Sequence, residues 1–419
     1  MTIHTIEVVC TGSELLLGDT LNTNLAWLGQ ELAASGTQLV RETCVPDERS
    51  AMADALRTAL SRSDAVIVIG GLGPTRDDLT RSVAAEILGR ELAASEEVAA
   101  GIRRFLQGRG LNVPEAAIAA QSEVLVGSEV LANGNGTAPG FWCVADAAIL
   151  VLLPGPPHEF RAMVRGEVLP RLRPLLVPQF ARAEIRVAGI PESQVAAIVE
   201  GSMLAGVVPA YCAKPECISV RLEARANDGP LLARVTQRVR RALAPYALPA
   251  DAATLAAAVG QLLRAQGLTL ATAESCTGGG VAAILTDVPG CSDYFEGAVV
   301  SYSNRWKRDF LDVPDEILDR FGAVSEETIR SMLDGLATRY GVGCGIAVSG
   351  IAGPGGGTPD KPVGLVLIGT AVGAARQVRA LHFRGDRDEV RRRTVFAALS
   401  QLRMNLLPQT VHSAAANHQ

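Results

Sequence analysis

The chain has 419 residues, which at ~150 residues per domain predicts two or three domains. Hydrophobic residues make up 48% and charged residues 20%, a globular balance that excludes a disordered or fibrous chain. No run of ~18 apolar residues spans a membrane, and the balance of 39 basic against 44 acidic residues argues against a surface that coats nucleic acid. The opening MTIHTIEVVCTG lacks the basic and apolar regions of a signal peptide and reads as a first strand, so the expected location is the cytoplasm. Eight cysteines (10, 44, 143, 212, 217, 276, 291, 344) form no CxxC and no zinc-spaced Cys/His pair, and read as buried reduced thiols. Only Lys214, Lys307 and Lys361 are lysines; a desolvated Lys can release its proton where Arg cannot.

Residues 1 to about 165 alternate strand and helix signals. A β-branched run at 3–10 closes on Thr11-Gly12, and Asn22 or Thr23 caps a helix with Leu25, Leu28 and Leu32 at helical spacing. Residues 37–44 read as a second strand, 49–60 as a helix, and 65–69 as a buried third strand running into Gly70-Gly71-Leu72-Gly73-Pro74. A later apolar run at 147–153 ends in Pro154-Gly155-Pro156-Pro157. This alternation predicts βαβ units in a parallel sheet with helices on both faces, its strand-to-helix loops gathered at one edge. Pro170, Pro174 and Pro178 read as a linker into a small α+β module, with strands at 183–190 and 217–226 and helices at 192–201 and 230–243. After Pro245 and Pro249 a third unit opens with a helix at 255–266 and a strand at 268–273. Strands follow at 297–302, 345–349, 363–371 and 378–383. Helices follow at 325–340 and 386–407, the last opening on an Asp386-x-x-Glu389 capping pair. Residues 408–419 read as a frayed polar tail.

Three constellations can carry chemistry. The first joins Thr11-Gly12-Ser13-Glu14 to the loop from Gly70 to Thr80, with a second Gly-rich loop from Asn133 to Gly140. Glycines there let backbone N–H groups approach phosphate oxygens, and Glu14, Asp77 and Asp78 are hard ligands suited to a Mg²⁺-bridged diphosphate. For one loop alone, glycines that make turns and acids that cap a helix are the commoner reading; three such loops on one edge favour a phosphate site. The second is Ala273-Glu274-Ser275-Cys276-Thr277-Gly278-Gly279-Gly280, a strand-to-helix turn that exposes Ser275 with amides behind it for an oxyanion. It is not GxSxG, and the five histidines (4, 158, 382, 412, 418) favour no Ser-His-Asp triad. The base on offer is Lys307, in Tyr302-Ser303-Asn304-Arg305-Trp306-Lys307. Cys276 competes as nucleophile, and a Ser before a Gly run also serves as helix cap or phosphate contact. The third is the Gly-rich excursion from Ser349 to Pro362, which reads as a lid or phosphate cradle rather than a plain connector. Phe383-Arg384-Gly385-Asp386-Arg387 then puts two guanidiniums at a helix start, either for a phosphate or carboxylate or as plain surface charge.

In this order the segments resemble the CinA (competence/damage-inducible protein A) family from about 5 to 407. TGSELLLG, NTN, GGLGPTRDDLT, NGNGTAPGF and LPGPP resemble its molybdopterin-binding-like domain; IRVAGIPES and VRLEARA resemble its KH-like linking domain. LATAESCTGG, SYSNRWK, AVSGIAGPGGGTPDKPVG and FRGDR resemble its nicotinamide mononucleotide (NMN) deamidase domain. The resemblance implies an α/β chain with a three-layer molybdopterin-binding-like domain at 1–168, a small α+β KH-like domain at 169–250, an α/β deamidase domain at 251–408 and a flexible tail at 409–419. It implies two hydrolyses: NMN to nicotinate mononucleotide and ammonia, and ADP-ribose to AMP and ribose 5-phosphate. It implies a homodimer too.

For the deamidase the resemblance implies Ser275 as nucleophile, Tyr302 and Lys307 as its partners, and Arg387 as the essential arginine with Arg384 as alternate. Neutral Lys307 takes the serine proton, amides near Thr277 to Gly279 hold the oxyanion, and no cofactor is required. It implies NMN contacts at Thr277, Gly278, Gly279, Asn304, Ser349, Gly350, Gly353, Gly355, Gly356 and Arg384. For the N-terminal domain it implies a divalent metal, Mg²⁺ or similar, at Glu14, Asp77 and Asp78. The implied ADP-ribose contacts are Thr11, Gly12, Glu14, Asn22, Asn24, Gly70, Gly71, Gly73, Pro74, Thr75, Asn133, Thr137, Ala138, Pro139 and Gly155. Ser13, Arg305-Trp306, Pro191 and Cys217 depart from the family's usual residues, and Arg305-Trp306 bears on access to Lys307. The alternative to catalysis is a nucleotide- or pterin-binding scaffold acting with competence and DNA-repair partners. The middle segment has no GxxG loop and no aromatic-basic interleaving, so no direct nucleic-acid binding is expected.

Overall fold

A computed structural model describes residues 1–408; the tail expected at 409–419 lies outside the described residues. The chain divides into two compact units, Met1–Arg182 with Ala224–Gly229, and Ala183–Glu223 with the residues from Pro230 onward.

The first unit holds a six-stranded sheet of β1 (Ile6–Thr11), β2 (Leu39–Val45), β3 (Ala65–Ile69), β4 (Glu129–Leu131), β5 (Gly140–Ala145) and β6 (Ala148–Leu153), in the order β2-β1-β3-β6-β5-β4. The first four strands in that order are parallel, β5 runs antiparallel to β6, and β4 in turn antiparallel to β5. The expected all-parallel sheet therefore gains an antiparallel edge. The β5–β6 hairpin closes on Asp146 in the left-handed region (φ 49), a tight turn that a search for βαβ spacing passes over. Helices α1 (Thr23–Ala33), α2 (Arg49–Leu60), α3 (Thr80–Leu88), α4 (Glu96–Gln107) and α5 (Pro157–Met163) belong to this unit. Successive side chains of a strand face opposite ways, and both faces are covered. Val8 and Ile67 pack with Leu28, Leu32 and Phe160, while Val9, Val66 and Val68 pack with Met52, Leu56 and Val83.

The stretch expected as a proline-marked linker is instead helical. After α5 the chain continues as a π-turn (Val164–Val168), a short α-helix (Leu169–Leu172) and a 3₁₀ turn (Arg173–Leu175). Pro170 and Pro174 each sit in the first turn of a new segment, where a missing N–H costs nothing. Val164, Val168 and Leu172 stay in the core.

The small module carries β7 (Phe180–Val187), β8 (Val207–Ala213) and β9 (Ile218–Arg225) in the order β8-β9-β7, with helices Glu192–Glu200 and Gly229–Ala242. The main sheet of the second unit comprises β10 (Leu270–Glu274), β11 (Phe295–Val300), β12 (Cys344–Gly350), β13 (Leu365–Val372) and β14 (Ala375–His382), ordered β11-β10-β12-β13-β14. β11, β10 and β12 are parallel; β13 runs antiparallel to β12, and β14 antiparallel to β13. Helices α6 (Leu255–Gln266), α7 (Gly280–Thr286), α8 (Asn304–Leu311), α9 (Asp315–Phe321), α10 (Glu326–Tyr340) and α11 (Arg387–Leu406) enclose it. One face buries Val259, Val281, Ile346 and Leu402; the other buries Ala273, Leu311, Met332 and Ala347. Glu274 sits in register with Val300 on one side and Val348 on the other, so the ends of three parallel strands meet at one edge. Among the described residues, no helix is long and apolar enough to cross a membrane.

Candidate active site

β10 ends on a carboxylate. Glu274 is fully buried and its side chain folds into the following turn, where it accepts from Thr277 Oγ1 at 2.7 Å. It also accepts from the backbone N–H groups of Gly279 (3.0 Å), Val281 (3.1 Å) and Ala282 (2.9 Å). These are the amides a helix start leaves without intrahelical partners, and an anion there is stabilised by the helix dipole. Gly278 and Gly279 take positive φ (62° and 91°), which brings the chain round. Ser275, whose N–H donates to Val348 O at 3.0 Å, is thereby fixed at the sheet edge.

Lys307 reaches Ser275 from α8. Ser303 caps that helix, accepting from Trp306 N at 3.2 Å, and Lys307 is fully buried one turn further on. Its Nζ lies 3.3 Å from Ser275 Oγ and donates to Ser301 O at 2.7 Å, with Tyr302 O at 3.4 Å. Burial disfavours the charged amine and pulls its pKa down to about 8. Burial acts oppositely on the neighbouring Cys276 thiol, pushing it up to about 11. Of the two neighbours, Ser275 is the one whose side chain lies within hydrogen-bond reach of the Lys307 amine. Tyr302 Oη accepts from Arg387 Nη2 at 3.2 Å, and Arg387 Nη1 donates to Gly353 O at 2.8 Å. One guanidinium thus joins Tyr302 to the third Gly-rich loop.

The first unit holds a cavity of about 350 Å³ at the ends of its parallel strands, lined by Thr11, Gly12, Gly70, Gly71 and Gly73. Five carboxylates line it, those of Glu14, Asp47, Asp77, Asp78 and Glu159, and among the described residues no Lys, Arg or His does. Asp78 is engaged by its own loop: it accepts from Gly73 N (2.8 Å), Thr75 N (2.8 Å) and Thr75 Oγ1 (2.5 Å). Glu14 folds back over Gly12, where a Cβ would stand 2.5 Å from Oε1. Thr11 Oγ1 is buried with no partner among the described residues. Behind the loop, buried Arg81 donates to Leu72 O (3.2 Å), Gly73 O (3.1 Å) and Gln121 O (3.4 Å). No three His, Cys, Asp or Glu side chains converge as a preformed metal site among the described residues. The donors fit a hard cation only where ligand oxygens complete the shell, the usual way Mg²⁺ is held.

Residues 252–406 match the family model described as "CinA C-terminal domain", and residues 7–174 match the model described as "Probable molybdopterin binding domain". The chain is 40% identical over 403 residues to a CinA-like protein of Akkermansia muciniphila, covering 95% of this chain and 96% of that one. It is 40% identical over 409 residues to a CinA-like protein of Dictyoglomus thermophilum, covering 96% and 99%. The chain belongs to the CinA family. The solved competence/damage inducible protein CihA of Agrobacterium tumefaciens is 40% identical over a match covering 38% of this chain and 97% of that one, with a TM-score of 0.36. In this CinA-family chain Ser275 and Lys307 fall inside the C-terminal match and the acidic cavity inside the other.

The structure sorts the expected ligand contacts of this CinA-family protein into those at the sites and those that support them. Gly278 N–H donates to Ser275 O at 3.1 Å and Gly279 N–H to Glu274, so neither is available to an oxyanion. The turn amides without a partner among the described residues are those of Cys276 and Thr277. The Thr277 hydroxyl is engaged by Glu274, and the Ser349 hydroxyl donates to Ala323 O at 2.7 Å. Gly350 permits close strand packing, since a Cβ there would lie 2.8 Å from Leu365 O. Asn304 is exposed at the start of α8, and Gly355 and Gly356 are exposed in the Gly-rich loop. Arg384 is exposed and makes no hydrogen bond among the described residues, which separates it from Arg387.

In the first unit Thr137, Ala138 and Gly155 join the cavity, whereas Asn22, Asn24, Pro74, Thr75, Asn133 and Pro139 do not line it. Asn22 caps α1, accepting from Leu25 N at 3.1 Å, and Asn24 donates to Gly155 O at 2.7 Å from behind. Sequence reasoning missed Glu274, Arg81, Glu159 and Arg391, whose Nη2 donates to Thr277 O at 3.0 Å. Only Glu274 carried a signal: an acid closing an otherwise apolar strand.

Proposed function

We propose that the C-terminal unit is a serine amidase that hydrolyses the carboxamide of NMN to nicotinate mononucleotide and ammonia. The observation that carries this reading is the 3.3 Å approach of a fully buried Lys307 to Ser275. A neutral amine has two hydrogens and one lone pair. Directing the hydrogens at Ser301 O and Tyr302 O turns the lone pair toward the Ser275 hydroxyl. Ser275 Oγ attacks the carboxamide carbon, made electrophilic by the pyridinium, as its proton passes to Lys307. The amides of Cys276 and Thr277 receive the oxyanion. Lys307 returns the proton to nitrogen, the C–N bond breaks, and ammonia leaves. Water activated by the same amine then cleaves the acyl ester and restores Ser275. Arg387, held against Tyr302, supplies a cation for the substrate phosphate. Ammonia release from NMN should fall at least ~10³-fold in Ser275→Ala; undiminished turnover removes the assignment.

A second reading concerns the first unit, and the carboxylate-lined cavity with no cation favours it. We propose that it hydrolyses ADP-ribose to AMP and ribose 5-phosphate with a divalent metal. Glu14 and Asp77 are the residues to hold the metal beside the diphosphate, while Asp78 keeps the loop in shape. Bound there, a metal offsets diphosphate charge and stabilises the charge that develops at phosphorus. AMP formation should stop with chelator and in Asp78→Ala. If neither NMN nor ADP-ribose turns over and the purified protein retains a bound ligand, the scaffold reading replaces both.

A further inference from the structure

We propose that the second unit has a further binding site, which takes a planar aromatic monoanion carrying a hydrogen-bond donor. It is a cleft of about 660 Å³ between the small module and the pair of β14 and α11, all within one compact unit. Ser275, Tyr302, Lys307 and Arg387 do not line it, so it is separate from the serine–lysine site. β14 is the edge strand of its sheet, and Gln377, Arg379 and Leu381 alternate onto one face of it. Phe396, Ser400 and Met404 recur at four-residue spacing on α11 and form a second wall. The small module closes the third side with Gln194 and Tyr246. Buried Arg403 of α11 donates from Nη1 to Pro245 O at 3.0 Å and from Nη2 to Ala247 O at 2.8 Å, which holds the chain on either side of Tyr246. Gly189 (φ 97) lets the module's loop come close, since a Cβ there would lie 2.8 Å from Ser400 Oγ.

Polar atoms without partners set the chemistry of the ligand. Gln401 lines the cleft, is 5% exposed, and donates from Nε2 to the backbone carbonyls Gln377 O (3.1 Å) and Ile368 O (3.4 Å). Carbonyls only accept, so the amide is fixed that way round, and its Oε1 is left buried with no partner among the described residues. A buried acceptor without a donor is costly, and a ligand N–H or O–H answers it. Arg379 is exposed at the rim and makes no hydrogen bond or ion pair among the described residues, whereas Arg393 is paired with Glu389. Two guanidiniums accompany one acid in the lining, Glu216, which forms no ion pair with either. Between Arg379 and Gln401 lie Leu381, Phe383 and Phe396, apolar surface that suits a flat ring and not a sugar or a phosphate. A carboxylate at Arg379, a ring against the two phenylalanines and an N–H at Gln401 describe a single ligand, and indole-3-acetate has all three.

Equilibrium dialysis of the full chain with indole-3-acetate tests the site. Saturable one-to-one binding with a Kd below about 1 mM is expected, and no binding by the wild type overturns the proposal. Arg379→Glu should weaken indole-3-acetate at least about tenfold and leave 3-methylindole, which has no carboxylate, unchanged. Equal losses on the two compounds overturn the anion. 1-Methylindole-3-acetate lacks the N–H and should bind about fivefold more weakly than its parent; equal affinity overturns the donor. Because Arg379 is exposed, its substitution should keep the thermal midpoint of the wild type. Gln194→Trp, which fills the cleft from the module's side, should abolish binding of all three compounds. Affinity retained in that variant puts the compounds elsewhere and overturns the cleft.

Discussion

A lysine amine taken out of water loses the hydration that favours its charged form, and no acidic partner forms an ion pair with Lys307 among the described residues. Its pKa of about 8 lies below that of a solvated lysine, and in the proposed mechanism the unprotonated form is the one that acts as base. Turnover must therefore rise with pH until the amine is neutral and fall in acid. The expected profile of kcat/KM for NMN climbs about tenfold per pH unit below that value and levels above it, measured as ammonia release. Lys307→Arg keeps the cation and loses the reaction, because a guanidinium does not give up its proton. Glu274 tests a different property. Its carboxylate accepts from one hydroxyl and three amides of the Ser275 turn, so Glu274→Ala leaves buried N–H groups unpaired. Denaturant unfolding should show a loss of about 2–4 kcal/mol with activity lost in parallel. The pairing of Ser275 with Lys307 was expected from a strand-to-helix turn and a scarce lysine, and the structure brings the two side chains to 3.3 Å. Glu274 was not, since its partners are amides whose convergence depends on two positive-φ glycines that sequence spacing does not locate in space.

The Gly-rich excursion is held at both arms by one corner of the fold. Ser349 Oγ donates to Ala323 O at the near arm, and Lys361 Nζ donates to Phe321 O at 2.7 Å at the far arm. A cation at the last carbonyls of α9 is favoured by the helix dipole, and Gly322 admits it, since a Cβ there would lie 3.3 Å from Nζ. Between the arms, Gly353 O receives Arg387. Releasing the far arm should loosen the Arg387 guanidinium, proposed to meet the substrate phosphate, and leave Lys307 untouched. Lys361→Met is expected to raise KM for NMN about tenfold with an unaltered pH profile, and Lys361→Arg to recover part of it. A loss of kcat with a displaced pH profile counts against this positioning role. Elements with strong periodic patterns, such as α2 at Arg49–Leu60 and β3 at Ala65–Ile69, were read correctly from sequence. The helical run after α5 was not, because its two prolines start new segments rather than end one. α8 was missed as an element even though it carries Lys307: it is eight residues long, its Trp306–Phe310 pair lies on the exposed side, and a buried Lys sits at the inward position where an apolar residue is expected.

At the scale of the whole chain, each unit has its own covered sheet and its own core, and each carries one of the two proposed hydrolytic sites. Sheets buried on both faces draw stability from side chains that leave cavities when truncated. Phe160 lies fully buried in the first unit and Leu402 fully buried in the second, both against their sheets. Removing either side chain to Ala should cost about 3–5 kcal/mol by lost transfer energy and the void left behind. Because the two core clusters share no residue, the cost should fall on one activity at a time. In Phe160→Ala, thermal inactivation of ADP-ribose hydrolysis is expected at a lower temperature while NMN deamidation keeps its wild-type midpoint; Leu402→Ala should give the reverse. A common drop of both midpoints in either variant would mean that the chain unfolds as a single cooperative body, and the two activities would then have to be separated by Ser275→Ala and Asp78→Ala alone.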